Sequence, residues 1–161
     1  FDLWPQLSKT VLFLLMFIGG CAGSTAGGLK VSRVIIMYKS ARRELRRILH
    51  PRSVSSLKFE GKTVDSEAEH GVLSYFAMYF IVFALLLFLL CLEPLDFETN
   101  VTAVTACYNN IGPGFAGVGP MASFAGYSDF SKLVLSAAML LGRLELYPLL
   151  LTFAPSTWAK K

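Results

Sequence analysis

The segment Asn109-Asn110-Ile111-Gly112-Pro113-Gly114-Phe115 carries no acid, base or nucleophile. What it offers is backbone. Glycine adopts angles closed to other residues, so a glycine-rich run can aim consecutive carbonyl oxygens at one axis. A narrow ring of such carbonyls can replace the water shell of a dehydrated cation. A Gly-Pro-Gly tract is also an ordinary turn, so the run by itself leaves both readings open.

A second glycine-dense run, Gly19-Gly20-Cys21-Ala22-Gly23-Ser24-Thr25-Ala26-Gly27-Gly28-Leu29-Lys30, invites three readings. As a phosphate loop it fails. From Gly23 the second glycine of the Walker pattern falls at Gly28, but Leu29 stands where lysine is needed and Val31 follows Lys30. As a helix-packing face it has Gly19, Gly23 and Gly27 at four-residue spacing. As a flexible intramembrane loop it also fits, because the glycines outnumber what a packing face requires. The last two readings stay open.

The remaining reactive side chains are sparse. Arg143 and Glu145 lie in an apolar stretch, and residues two apart on a helix do not face each other. Arg143 is therefore expected to meet another segment, for which the carbonyls and hydroxyls of the glycine run are suitable acceptors. Cys21, Cys91 and Cys107 each lie in or beside apolar stretches with no second cysteine or histidine at metal-ligand spacing, and are expected to act as small apolar residues in helix packing. His50 and His70 bracket a polar loop. No nucleophile–base pair appears, so the sequence is not read as an enzyme.

These groups must be positioned by membrane helices. The 161 residues are 54% hydrophobic and 16% charged, with mean hydropathy +0.55. A soluble domain usually carries about 25% charged residues. Gly71 to Leu92 contains no charged residue and matches a transmembrane helix, which needs about 20 apolar positions. Leu7 to Gly28 is also apolar, with Trp4 as a plausible interface anchor. Its glycines predict a helix from Leu7 to about Ile18, a break, and a second helix from about Leu29. A third stretch, Lys132 to Phe153, is long enough to span with Arg143 near its middle. Between the second and third lies a short helix capped by Asp96 or Thr99 and running through Val101, Val104 and Tyr108. It is too short to cross, and irregular backbone follows at once, an arrangement tolerated at membrane depth only inside protein or against water. The order is span, half-helix, loop, span, and in that position Asn110-Ile111-Gly112-Pro113-Gly114 has the rhythm of the potassium-channel run Thr-Val-Gly-Tyr-Gly.

Charge sets the topology. Lys30, Arg33, Lys39, Arg42, Arg43, Arg46, Arg47 and Arg52 follow the first apolar stretch, which places that side in the cytoplasm. The basic stretch reads as a flank at the lipid headgroups, or as a docking surface for a cytoplasmic regulator. The net charge of +4 is thus a topological signal and no nucleic acid is expected. The polar segment Arg52 to His70 reads as a cytoplasmic loop with a short hairpin around Glu60-Gly61. The chain opens Phe-Asp-Leu-Trp, unlike a signal peptide, and reads as a piece of something longer.

Taken together, the glycine run, Asn109-Asn110-Ile111-Gly112-Pro113-Gly114 and Gly142-Arg143-Leu144-Glu145 resemble the TrkH/TrkG family of potassium-uptake subunits, relatives of KtrB. The resemblance covers nearly the whole chain. It implies an all-α membrane protein built from helix–pore loop–helix repeats of the potassium-channel-like transporter superfamily, with about one and a half of four repeats present. Residues 1–52 would be the second helix of the third repeat with its intramembrane loop and basic end. Residues 53–70 would be a cytoplasmic loop, 71–155 the complete fourth repeat and 156–161 a cytoplasmic tail.

By position, Asn110, Ile111, Gly112, Pro113 and Gly114 would form one quarter of the filter, with potassium at Ile111 and Gly112. Gly19, Gly20, Gly23, Ser24, Thr25, Gly27 and Gly28 would form the gate loop, and Arg143 would touch it. The resemblance further implies potassium as substrate, symport as the mode of uptake, and no cofactor in this chain. It implies a multi-pass subunit of the bacterial inner membrane, working as a homodimer with a TrkA-like nucleotide-binding regulator in the cytoplasm. The sequence departs from the family's commoner Gly-Gly-Gly form at Ala26. One loop cannot close a fourfold ring, so three partner repeats are required. The alternative reading is a structural or assembly subunit whose glycines only pack helices.

Overall fold

A computed structural model describes residues 3–21, 23, 24, 26–50, 57–59 and 61–144. In chain order the elements are α1 (Gln6–Leu15), α2 (Val31–Leu49), strands β1 (Lys58–Phe59) and β2 (Lys62–Thr63), α3 (Ser66–Leu90), α4 (Phe97–Tyr108) and α5 (Asp129–Arg143). Two short 3-10 turns, Ala116–Val118 and Phe124–Gly126, lie between α4 and α5.

The uncharged run beginning at Gly71 sits within α3, whose 25 residues make it the one helix, among those described, long and apolar enough to cross a membrane. Only 22% of its most apolar window is buried. Phe80, Ile81, Leu85 and Phe88 point outward, a surface suited to lipid or to further helices rather than to water. The inner face supplies Tyr75, Phe76, Tyr79, Leu86 and Leu90 to the core.

α4 is the centre of the molecule. Thr99, Asn100 and every residue from Thr102 to Tyr108 are buried, so a short helix carrying three threonines and an asparagine is enclosed on nearly all sides. Asp96 fixes its start, accepting from the Thr99 amide at 3.0 Å and the Thr99 hydroxyl at 2.7 Å. Such a cap is worth about 1 kcal/mol. These hydrogen bonds hold the Asp96 carboxyl below its ordinary range. Ala103, Ala106 and Ala138 are completely buried, and their small size lets α3, α4 and α5 approach closely.

α5 is fastened to the end of α3 by one carboxylate. Glu93 accepts from the Ser131 hydroxyl at 2.7 Å and from the Ser128 amide at 3.1 Å. At the other end of the molecule α2 joins α3 through Glu69, which accepts from the Ser40 hydroxyl and, at 2.7 Å, from the Arg43 guanidinium. The Arg33 guanidinium lies 4.0 Å from the centre of the Tyr75 ring. The hairpin pairs Lys58 with Thr63 and Phe59 with Lys62, and Gly61 beside it takes φ 79°.

One expectation needs correction, and another reaches past the described residues. α5 ends at Arg143 with Leu144 at its C-cap, short of the Phe153 read from apolarity. At roughly 1.5 Å per residue its 15 residues reach about 22 Å, less than the about 30 Å of a bilayer core. Arg143 is the last residue of this helix; Glu145 and the rest of the stretch read as a span to Phe153 lie outside the described residues. Of the cysteines, Cys107 is buried as expected, but Cys21 and Cys91 are exposed in this chain.

Candidate functional site

α4 closes in a Schellman turn. Asn110 takes the left-handed conformation at φ 55°, its amide donates to Cys107 at 3.1 Å, and the Ile111 amide reaches back to Ala106 at 2.9 Å. Asparagine is the residue other than glycine that tolerates this position best. Gly112 follows at φ 106°, an angle that an L side chain would strain.

The donors of the loop are turned inward. Besides Asn110 and Ile111, the Gly114 amide bonds the Val118 carbonyl at 2.8 Å. The Phe115 amide bonds the Thr102 hydroxyl at 3.0 Å and the Gly117 amide bonds that of Thr99 at 3.1 Å. Pro113 has no amide hydrogen. Among the described residues, no hydrogen bond ends on the carbonyl oxygens of Asn110, Ile111, Gly112, Pro113 or Gly114. Among the described residues the result is a strip of backbone whose donors, the Gly112 amide excepted, are satisfied and whose acceptors are unoccupied. It lies at the C-terminus of α4, the negative end of the helix dipole, where a cation is favoured.

The glycine run is a loop and not a helix, so Gly19, Gly23 and Gly27 do not share a packing face. Its ends are drawn together. The Gly19 amide bonds Leu29 at 2.8 Å, the Leu29 amide bonds Phe17 at 3.0 Å and the Val31 amide bonds Gly20 at 3.1 Å. Gly19 lies so close that a Cβ there would overlap the Gly27 carbonyl. Phe17 packs on α3, its ring 5.6 Å from Phe83, and Leu29 is buried. Gly23 and Gly28 sit at φ 85° and 79°. The Ser24 hydroxyl caps a local turn by accepting from Ala26.

The two loops meet. A Cβ on Gly27 would stand 2.6 Å from the Asn109 carbonyl oxygen, and one on Gly28 would stand 3.2 Å from Asn109 Oδ1. Gly19, Gly20, Gly27, Asn110, Ile111 and Arg143 line one cavity of about 620 Å³. That brings residues from the first loop, the second loop and the end of α5 to a single space. Gly23 stands apart with nothing within 4 Å of its Cβ direction, as does Gly112. Gly114 is tucked against Thr102 and Val118. Thr25 lies outside the described residues.

Several supporting residues went unread in the sequence. Thr102 and Thr99, the latter read only as a possible cap, lace the loop to α4, and their three-residue spacing was an available signal. Gly142 was quoted only with its neighbours, yet a Cβ there would overlap the Tyr108 carbonyl. Tyr79, whose hydroxyl donates to Asn109 Oδ1 at 2.5 Å, left no local signature.

Comparison with known proteins gives a consistent result. The family described as "TrkH: Cation transport protein" matches residues 1–160. The chain is 37% identical over 155 residues to the Trk system potassium uptake protein TrkH of Salmonella typhimurium, covering 96% of this chain and 32% of that protein. It is 39% identical over 161 residues to the Trk system potassium uptake protein TrkG of Escherichia coli K12, with the same coverages. The crystal structure of the potassium transporter TrkH from Vibrio parahaemolyticus superposes with a TM-score of 0.86 at 37% identity, over 97% of this chain and 33% of that one. The chain thus spans about a third of the length of the relatives it matches. With a family match along nearly its whole length, the chain belongs to the TrkH family of cation transport proteins.

Proposed function

We propose that this chain contributes one quadrant of a potassium-selective pore, together with the loop that closes it. The observation that carries the reading is the Asn110–Gly114 strip: amides bonded inward except that of Gly112, carbonyls without a partner among the described residues, at the negative end of a buried half-helix. Potassium is the substrate, held at Ile111 and Gly112 by backbone oxygens in place of water. Four such strips are needed, so three further repeats complete the ring. Gly19 to Gly28 closes the path below it, and Arg143 places a positive charge in the same cavity, where it repels a cation until the loop and the guanidinium move.

In this reading residues 1–52 end a third repeat, 53–70 form a cytoplasmic loop, 71–155 form a fourth repeat and 156–161 a tail. The basic face of α2 lies in the cytoplasm, on the side where a TrkA-like nucleotide-binding regulator would dock on a homodimer in the bacterial inner membrane. The name of the relatives, potassium uptake proteins, supports the choice of ion.

The test is a chimera in which this chain replaces the matching third of the Escherichia coli K12 TrkH protein, expressed in cells without their own potassium uptake. Growth on low potassium is expected, and Gly112→Ser should raise sodium uptake relative to potassium. A chimera that supports growth with the same sodium-to-potassium ratio after Gly112→Ser sinks the filter assignment. The close approaches at Gly19 and Gly142 favour a packing role for those two residues, which is compatible with conduction.

A further inference from the structure

Asn109 precedes the free-carbonyl strip, and its contacts reach α3, α4 and the glycine-rich loop. It is buried, at 4% exposure. Its Nδ2 donates to the Thr105 carbonyl at 3.0 Å, which ties it to α4. Its Oδ1 accepts from Tyr79 on α3 at 2.5 Å, and Tyr79 is itself 2% exposed with its ring 4.7 Å from that of Tyr108. Two rigid elements therefore fix the side chain. The main-chain carbonyl lies against Gly27, and Gly28 borders Oδ1.

The contact with Gly27 has a chemical consequence. While the glycine-rich loop lies against it, the Asn109 carbonyl is covered. When that loop swings aside, this oxygen becomes one more free acceptor at the inner end of the row formed by Asn110 to Gly114. We infer that Asn109 is a positioning residue through which the glycine-rich loop and the carbonyl row sense each other, with the Tyr79 hydroxyl holding it in register. The inference rests on the filter reading above and adds coupling: a change in the closing loop alters ion preference, and a change behind the filter alters closure.

The experiment uses the same chimera, purified and reconstituted in vesicles, with uptake of potassium and of sodium measured as half-saturation concentration and maximal rate. Tyr79→Phe removes one hydroxyl and leaves a buried acceptor unpaired, a loss that corresponds to about tenfold in a conformational equilibrium. It is expected to raise the sodium-to-potassium ratio about tenfold. Gly27→Ala, outside the carbonyl row, should also shift that ratio, and the double variant should shift it by less than the product of the two. If both variants change only the maximal rate, with the ratio and the half-saturation concentrations untouched, their role is structural and the coupling is overturned. A response to Gly112→Ser with silence at Tyr79 and Gly27 overturns the coupling while leaving the filter reading intact. Unfolding midpoints of the four purified proteins give a readout that needs no conduction. Non-additive midpoints support the link through Asn109, and strictly additive ones remove it.

Discussion

The two glycine-bearing loops of this chain are built on opposite principles. The loop at Asn109 to Phe115 is stitched along its length, each available donor from Asn110 to Phe115, Gly112 excepted, being bonded to α4 or to the turn that follows. The run from Gly19 to Lys30 is fastened at its ends, through Gly19, Leu29 and Val31. Among the described residues its interior has only the bond from Ser24 to Cys21 and the one from Ala26 to the Ser24 hydroxyl. Glycine thus serves two purposes in one molecule. In the first it permits a required angle within a rigid strip; in the second it permits the close approach of backbones at Gly19 and Gly27. A surface that must present fixed oxygens needs the first design. A segment that must leave a pathway needs the second, since moving elements come from the weakly bonded end of a structure.

The sharpest way to break this contrast is to unstitch the rigid loop. Thr102→Val keeps the shape but leaves the buried Phe115 amide without the acceptor it meets at 3.0 Å. A cost of about 1–3 kcal/mol is expected, read as a lowered unfolding midpoint together with a loss of discrimination between potassium and sodium. A fall in stability with discrimination preserved would mean that the lacing supports the fold without tuning the strip.

A smaller effect is expected in the loose loop. Gly23 has open space around it, so Gly23→Ala introduces only backbone strain at φ 85°, about 1 kcal/mol. The change should alter the rate of transport and leave ion discrimination as it was. A shift in discrimination from Gly23, which touches nothing near Asn109, would argue that the two loops are not mechanically distinct.

The smallest effect concerns pH. Hydrogen bonds from Ser128 and Ser131 hold the Glu93 carboxyl below its ordinary range. A carboxylate with a depressed folded-state value adds stability above its unfolded value, near 4.3, and loses it as pH falls through the folded value. Acidification from neutral pH should therefore do little until well below about pH 5, when the link between α3 and α5 weakens. Glu93→Gln should flatten that acid limb in a melting series across pH 3–7. An unchanged limb would assign the acid loss to other carboxylates, Asp96 among them.

Much of the fold was legible because its causes are local. The uncharged run from Gly71 marked α3, the cap candidates Asp96 and Thr99 marked the start of α4, where the structure selects Asp96, and glycines from Gly19 onward marked the interruption between α1 and α2. The Asn109–Phe115 loop was legible as irregular backbone after a helix too short to cross. The end of α5 was not, because apolar composition continues past Arg143 and nothing in the residue types announces a cap at Leu144. The exposure of Cys21 and Cys91 was likewise invisible, since an apolar neighbourhood in sequence does not say which face is turned inward.

What the sequence determined by itself, then, was the order of apolar helix, half-helix and glycine-bearing loop, all set by composition, periodicity and turn chemistry over a few residues. The tertiary structure decided what each loop touches. Tyr79 and Asn109 are separated by 30 positions, and Gly27, Asn110 and Arg143 meet around one cavity from three distant segments. Such contacts arise from the packing of whole helices, in which small residues such as Ala138 and Gly142 set how closely backbones approach. No local pattern of residue types encodes that distance.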